Sequence, residues 1–454
     1  MDRLKKLWRG EQPYEPLEHD AIDEGVQHES TNKQKDFSYV EYSIFVLLGV
    51  SMLWAWNMFL AAGPYFQHRF RSNDWISQNF QAAELVVSNT TTLCAMLVLT
   101  RLQAGASYPK RIISSLAINM VVFTLLALFT KVGLGMSAEG YFGFLMVIMF
   151  AASMATGLCQ NGIFAYVSGF GQPAYTQGIM TGQAIAGVLP CIAQIISVVG
   201  IWGHGRRPPP DDGAPPPGPP PVNPNSAFSY FLTATIIAAI TLTAFTSLLA
   251  RNRQLPKLQD NSTPDLDPVN EPGERKQVPL SVLFRKLFWL ASAVFATFGI
   301  TMMFPVFTQQ IVSVRPHDQQ SPLLQPPSFI PLAFLFWNTG DLLGRLATAV
   351  PGLSLIQRPG IVFGLAVSRV AFVGLYHLCN IRDRGAIVES DFFYLVIVQL
   401  LFGLTNGYVG STCMIGAGEW VDPDEREAAG GFMGLCLVAG LTVGSFASFF
   451  AAGA

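Results

Sequence analysis

The sequence is poor in charge. Asp, Glu, Lys and Arg make up 13% of its 454 residues, about half the roughly 25% usual in soluble domains. That deficit favours a membrane chain over a globular one. A formal net charge of -2 leaves no basic surface of the kind that nucleic-acid binding requires. Cysteine is scarce too. Cys94, Cys159, Cys191, Cys379, Cys413 and Cys436 all lie inside apolar stretches, and no pair has CxxC spacing. They read as free, buried thiols that pack as small hydrophobes, with neither a zinc site nor a disulfide framework expected. The six histidines form no metal-ligand pattern. GxSxG, HExxH and P-loop motifs are all missing, so no enzyme chemistry, cofactor or ATP-driven pumping is expected. Residues 1–38 are polar and mixed in charge. They lack the basic segment and short apolar run of a cleaved signal peptide and read as a disordered cytosolic tail.

What is present is apolar length. A bilayer-spanning helix needs about 20 mostly apolar residues. Such stretches recur near 40–62, 81–100, 112–131, 140–168, 174–202, 227–250, 283–310, 328–350, 359–379, 391–415 and 428–451. An all-α polytopic membrane protein follows, and a chain of this kind without enzyme motifs is expected to move a small polar solute. Two polar interruptions divide the series. Residues 203–226 contain GRRPPPDDGAPPPGPPP, a run expected to be extended and stiff. Residues 251–282 form a charged linker. The predicted organisation is therefore a six-helix half over 39–250 and a five-helix half over 283–454, a plan common among transporters.

Lys and Arg set the orientation. With the N-terminus in the cytosol, cytosolic segments hold 18 of these residues and the opposite side eight, with Arg345 and Arg369 inside spans. The bias predicts a cytosolic N-terminus and a luminal or extracellular C-terminus. The sequon at Asn261 then lies in the cytosol and that at Asn89 falls mid-span, so neither is expected to carry a glycan.

Ionisable groups in mid-membrane are costly and usually face a partner or a wet cavity. Asp341 and Arg345 are four residues apart on one predicted helix and share a face. They suit a structural ion pair and a polar contact on a solute path equally well. Arg369 is expected to pair with a carboxylate or cap carbonyls, and Glu84 to lie at the interface. Buried amides add donors and acceptors at Asn57, Gln160, Asn161, Gln183, Asn338 and Asn406. Each alone would glue helices; together they point to a polar cavity. Trp56 offers a face for a planar solute or for packing. Gly430 and Gly434, and Gly440 and Gly444, are spaced for close helix contact.

Several separated motifs carry a resemblance. Span one reads GVSMLWAWNMFLAAGPYF. Spans four and five read LCQNGIFAYVSGFGQPAYTQGIMTGQAIAG. Span seven ends MMFPVF, with Phe304 and Pro305, and span eight reads FWNTGDLLGR. Spans nine and ten give SRVAFVGLYHLCNI and LTNGYVGSTCM. In this order, from about residue 40 to 450, they resemble the equilibrative nucleoside transporter family. Ala55 stands where that family usually has proline, which predicts a straighter first helix. The resemblance implies eleven transmembrane helices in a major-facilitator-like 6+5 arrangement, moving nucleosides, and in some members nucleobases, by alternating access. It implies that Trp56, Asn57, Leu60, Gln160, Asp341 and Arg345 bind the nucleoside. Phe304, Pro305, Asn338, Arg369 and Asn406 are structural or gating candidates. The bilayer and a nucleoside are the only partners implied. Plasma-membrane and vacuolar or lysosomal members share these motifs, and the long tail leans toward an internal membrane. Two other readings remain: an organic cation or monoamine carrier of the same fold, which would favour an unpaired acidic residue in the cavity, and a solute sensor or scaffold that does not transport.

Overall fold

A computed structural model describes residues 37–103, 105–132, 135–203, 224–259, 278–316 and 320–453. The expected tail, the proline-rich run, most of the charged linker and the Asn261 sequon lie outside these residues. Apart from one isolated bridge between Ile311 and Ile381, the described secondary structure is helical. That suits the solvent: in hydrocarbon each backbone N–H and C=O needs a partner, and a helix supplies them all within its own segment.

The first helices are α1 (Tyr39–Ala61), a short α2 (Gly63–Arg69), α3 (Asp74–Arg101), α4 (Tyr108–Phe129), α5 (Ala138–Gly169), α6 (Pro173–Gly203) and α7 (Pro224–Gln259). Polar caps mark several starts. Asn73 accepts from the Ile76 N–H at 3.2 Å and Ser137 from the Gly140 N–H at 3.1 Å, each satisfying an orphan donor of the first turn. Helix α1 runs unbroken through Ala55.

From Leu280 onward the helices are more interrupted. The span expected at 283–310 is divided into α8 (Leu280–Lys286), α9 (Phe288–Thr301) and α10 (Met303–Thr308). Pro305 explains the second break: it has no N–H to give to the Thr301 carbonyl, where α9 ends. Next come α11 (Pro326–Ala347), α12 (Pro359–Ser368) and α13 (Ala371–Tyr376). A π-helical stretch, Phe393–Leu400, runs into α14 (Leu401–Gly416), and α15 (Arg426–Gly453) closes the chain.

Ten helical stretches among the described residues are long and apolar enough to cross a bilayer. The eleventh expected span is α11, which is not one of the ten. Its 22 residues reach about 33 Å at 1.5 Å per residue, enough for a hydrocarbon core of about 30 Å. Asn338, Asp341 and Arg345 reduce its apolar character.

Helix pairs pack α1 on α6, α3 and α4 on α5, α9 on α15 and α11 on α14. Spans one to six meet spans seven to eleven where α6 packs on α11 and where α5 and α3 pack on α15. Glycine sets the α11–α14 contact. A Cβ on Gly340 or Gly344 would strike the Leu400 or Leu404 carbonyl, and one on Gly403 the Trp337 carbonyl. Backbones thus touch directly, as in small-residue membrane interfaces. The glycines of α15 behave as their spacing predicts: Gly430 meets Phe164, Gly434 meets Met96 and Phe164, and Gly440 and Gly444 meet the backbone at Phe295 and Gly299.

Glu84 is buried among the helices within α3. One expectation needs correction. Five cysteines are buried or partly buried, but Cys94 is exposed, because its position on α3 faces outward; all six are free.

Candidate functional site

The polar centre of the molecule lies on α11. Asp341 and Arg345 are one turn apart, so their side chains meet on one face. Asp341 Oδ2 accepts from Arg345 Nε at 2.7 Å. The two residues are 3% and 4% exposed, which removes them from both lipid and bulk water. Charges so buried need further hydrogen bonds, and both have them. Arg345 Nη1 donates across the seam to α6, to the Met180 carbonyl at 2.9 Å and Gln183 Oε1 at 3.0 Å. Asp341 Oδ1 accepts from Asn406 Nδ2 of α14 at 2.6 Å. The ion pair thus joins α11 to both α14 and α6.

The network continues inward. Asn406 Oδ1 accepts from the Thr301 hydroxyl at 2.6 Å. Thr301 in turn accepts from Arg369 Nη2 at 2.9 Å. Arg369 has no measurable exposure. Its Nη1 caps the Thr297 carbonyl at 2.6 Å, its Nε reaches Thr405 Oγ1 at 3.2 Å, and its guanidinium lies 4.6 Å from the Phe402 ring centroid. It caps a carbonyl, as one of the two expectations had it. The carboxylate it was expected to meet is reached only through Thr301 and Asn406.

Other candidate residues sit apart from this group. Asn57 is half-buried and donates from Nδ2 to the Ala186 carbonyl at 2.8 Å, tying α1 to α6. Trp56 stacks on Phe59 at 6.2 Å and lines a cavity with Ser88, Asn119, Ser153 and Thr156, inside the first four spans. Gln160 is buried with Oε1 lacking a partner. Leu60 is 54% exposed, so nothing encloses it. Asn338 donates to the Phe334 carbonyl at 2.8 Å and lies 3.6 Å from Cys191 Sγ of α6. Phe304 stacks on Trp337 at 4.2 Å, one residue before Pro305. Gln183 and Thr301 were not among the predicted site residues, although both touch the central network. Gln183 carried a signal as a buried amide; a threonine within an apolar span carries none. Among the described residues no group of His, Cys, Asp and Glu could hold a metal ion.

A buried carboxylate beside a guanidinium, with amides around them, can take hydrogen bonds from hydroxyls and give them to ring or sugar oxygens. Relatives share the chain almost end to end. Nucleoside transporter FUN26 of Saccharomyces cerevisiae is 30% identical over 450 residues, covering 92% of this chain and 84% of that one. Equilibrative nucleoside transporter 1 of Homo sapiens is 27% identical, covering 92% of this chain and 98% of its own. Among solved structures, the E. coli fucose:proton symporter superposes with a TM-score of 0.48 at 14% identity, over 91% of each chain. The model of the family described as "Nucleoside transporter" matches residues 144–261 and 249–452, and the chain belongs to that family.

Proposed function

We propose that this protein is a facilitative carrier that moves nucleosides across a membrane by alternating access. The observation that carries the reading is the Asp341–Arg345 pair, buried where α11 meets α6, with Gln183 reaching it from the other half. Ribose hydroxyls can donate to the carboxylate and accept from the guanidinium. A flat base needs apolar or aromatic walls and an amide, and Trp56, Asn57 and Gln160 supply those types. Spans one to six rocking against spans seven to eleven would break and remake the Arg345 contacts to Met180 and Gln183, which couples site occupancy to the motion. The names of the relatives support the same substrate class.

The excess of Lys and Arg on one side supports a cytosolic N-terminus and a luminal or extracellular C-terminus. The polar tail favours an internal membrane over the plasma membrane.

One observation favours a second reading, an amine carrier. Of the buried carboxylates, Glu41, Asp341 and Glu425 each have a donor, whereas Oε1 of Glu84 has none. An unpaired acidic group is what a cationic amine would seek. Purified protein in liposomes, given radiolabelled uridine, adenosine or a cationic monoamine, separates the readings. Saturable uptake of the nucleosides and not the amine is expected. Amine uptake without uridine uptake would replace the proposal, and binding of uridine without uptake would make the protein a sensor.

A further inference from the structure

We propose that Arg369 is a positioning residue for the sugar of the substrate, acting on Asp341 through Thr301 and Asn406. The inference rests on the nucleoside reading and goes beyond it, because Arg369 itself, between α12 and α13 and enclosed by α9 and α14, has no surface with which to touch a substrate. Its side chain has no measurable exposure and its donors are turned to Thr297, Thr301 and Thr405.

The direction of each hydrogen bond follows from what each group can do. A guanidinium only donates. Arg369 Nη2 therefore makes the Thr301 oxygen an acceptor at 2.9 Å. The single Thr301 proton is left to point away from Arg369, toward Asn406 Oδ1 at 2.6 Å or the Thr297 carbonyl at 2.7 Å. The Thr297 carbonyl already accepts from Arg369 Nη1 at 2.6 Å, so the Asn406 oxygen is the acceptor still in need. With its oxygen held by Thr301, Asn406 can present only its NH₂ to Asp341, at 2.6 Å. An ionised carboxylate only accepts, so the reversed amide would set oxygen against oxygen. Both ends of the chain thus select one amide orientation.

Three consequences follow. Asp341 keeps one donor on each carboxylate oxygen, Asn406 on Oδ1 and Arg345 on Oδ2. Each oxygen retains capacity for a further donor, which a sugar hydroxyl can supply. And Arg369, which forms no ion pair among the described residues, has its charge communicated to Asp341 along a path in which every bond points the same way. Such directed chains polarise one another. Thr301 is the one member of the path that can be altered without changing a charge or an amide.

The test compares uptake of uridine with uptake of its two monodeoxy analogues in proteoliposomes, for wild type, Thr301→Val, Thr301→Ser and Arg369→Gln. Thr301→Val keeps shape and removes the hydroxyl; Thr301→Ser keeps the hydroxyl. The uridine KM is expected to rise on the order of tenfold in Thr301→Val, the equivalent of one charge-assisted hydrogen bond. The analogue lacking the hydroxyl that meets Asp341 should change by less than about twofold, the size of an ordinary uncoupled effect. Thr301→Ser should retain the wild-type ratio, and Arg369→Gln should lose it. If Thr301→Val is not recovered folded, Thr301→Ala serves in the same comparison. Equal changes for uridine and both analogues, or a Thr301→Ser that behaves like Thr301→Val, would overturn the relay while leaving the carrier reading standing. A wild type that takes up no nucleoside would overturn both.

Discussion

Gly407 lies directly against the Asp341 carbonyl, with no space between the two backbones for a Cβ. The residue that carries the central carboxylate is therefore fixed to α14 by its main chain as well as by the Asn406 amide. Gly407→Ala must push α11 and α14 apart, and overpacking of this kind costs about 1–3 kcal/mol. The expected result is a lower melting midpoint in detergent together with weakened uptake, since Asn406 moves away from Asp341. An unchanged midpoint would mean that the two helices do not sit this closely.

Asn57 offers a sharper comparison because it is the donor in its bond between α1 and α6. Nδ2 gives one hydrogen bond to the Ala186 carbonyl. Asn57→Ala should cost about 0.5–1.5 kcal/mol. Asn57→Asp should be worse, because an ionised carboxylate cannot donate and would face a carbonyl oxygen. Thermal melts of the two variants give the order directly; an aspartate variant as stable as wild type contradicts the assignment.

Glu84 runs the other way. A buried carboxyl oxygen without a donor is a cost to folding, and Glu84→Gln removes any charge there at almost no change in shape. The variant should melt no lower than wild type and should transport uridine at the wild-type rate. Selective loss of amine uptake in the same variant would instead assign Glu84 to a cation site.

Lys286 holds the end of α8 to the turn before α15, through Asp422 Oδ2 at 2.9 Å and Glu425 Oε2 at 2.6 Å. Those hydrogen bonds, the one to Glu425 foremost, push its pKa up to about 12. A raised cation pKa means that the contact is fully present below the ordinary lysine value and fades only as pH climbs through the raised one. The difference in melting midpoint between wild type and Lys286→Met should therefore stay constant from neutral pH to about pH 10, where a free lysine begins to lose its proton. A difference that shrinks steadily from pH 7 upward would show that the contact is not formed.

Much of this architecture is legible in the residues. Apolar length gives the helices, because hydrocarbon leaves the backbone no other choice. Asp341 and Arg345 stand out because two charges four apart in a span must share a face. Other features are hidden for physical reasons. Glu84 looks interfacial by its distance from the start of a span, whereas its burial depends on which helices pack against α3. Thr301 is invisible as a site residue, since threonine within an apolar helix ordinarily bonds its own i−4 carbonyl, and the Thr297 carbonyl does lie within reach at 2.7 Å. Trp56 and Asp341 come from motifs of similar strength, yet the cavity beside Trp56 is lined by α1, α3, α4 and α5, while the ion pair faces α6 and α14. Which motifs converge is a property of packing.

The most direct measurement is uridine uptake per folded carrier for Asp341→Asn and Arg345→Ala, with the amount of monodisperse protein in the membrane determined in parallel. A pair that binds the sugar predicts that both variants lose at least about tenfold in uptake, the scale of one strong hydrogen bond, while folded protein falls far less. Uptake that declines only in step with folded protein would make the pair a structural clamp, and the nucleoside site would then have to lie elsewhere.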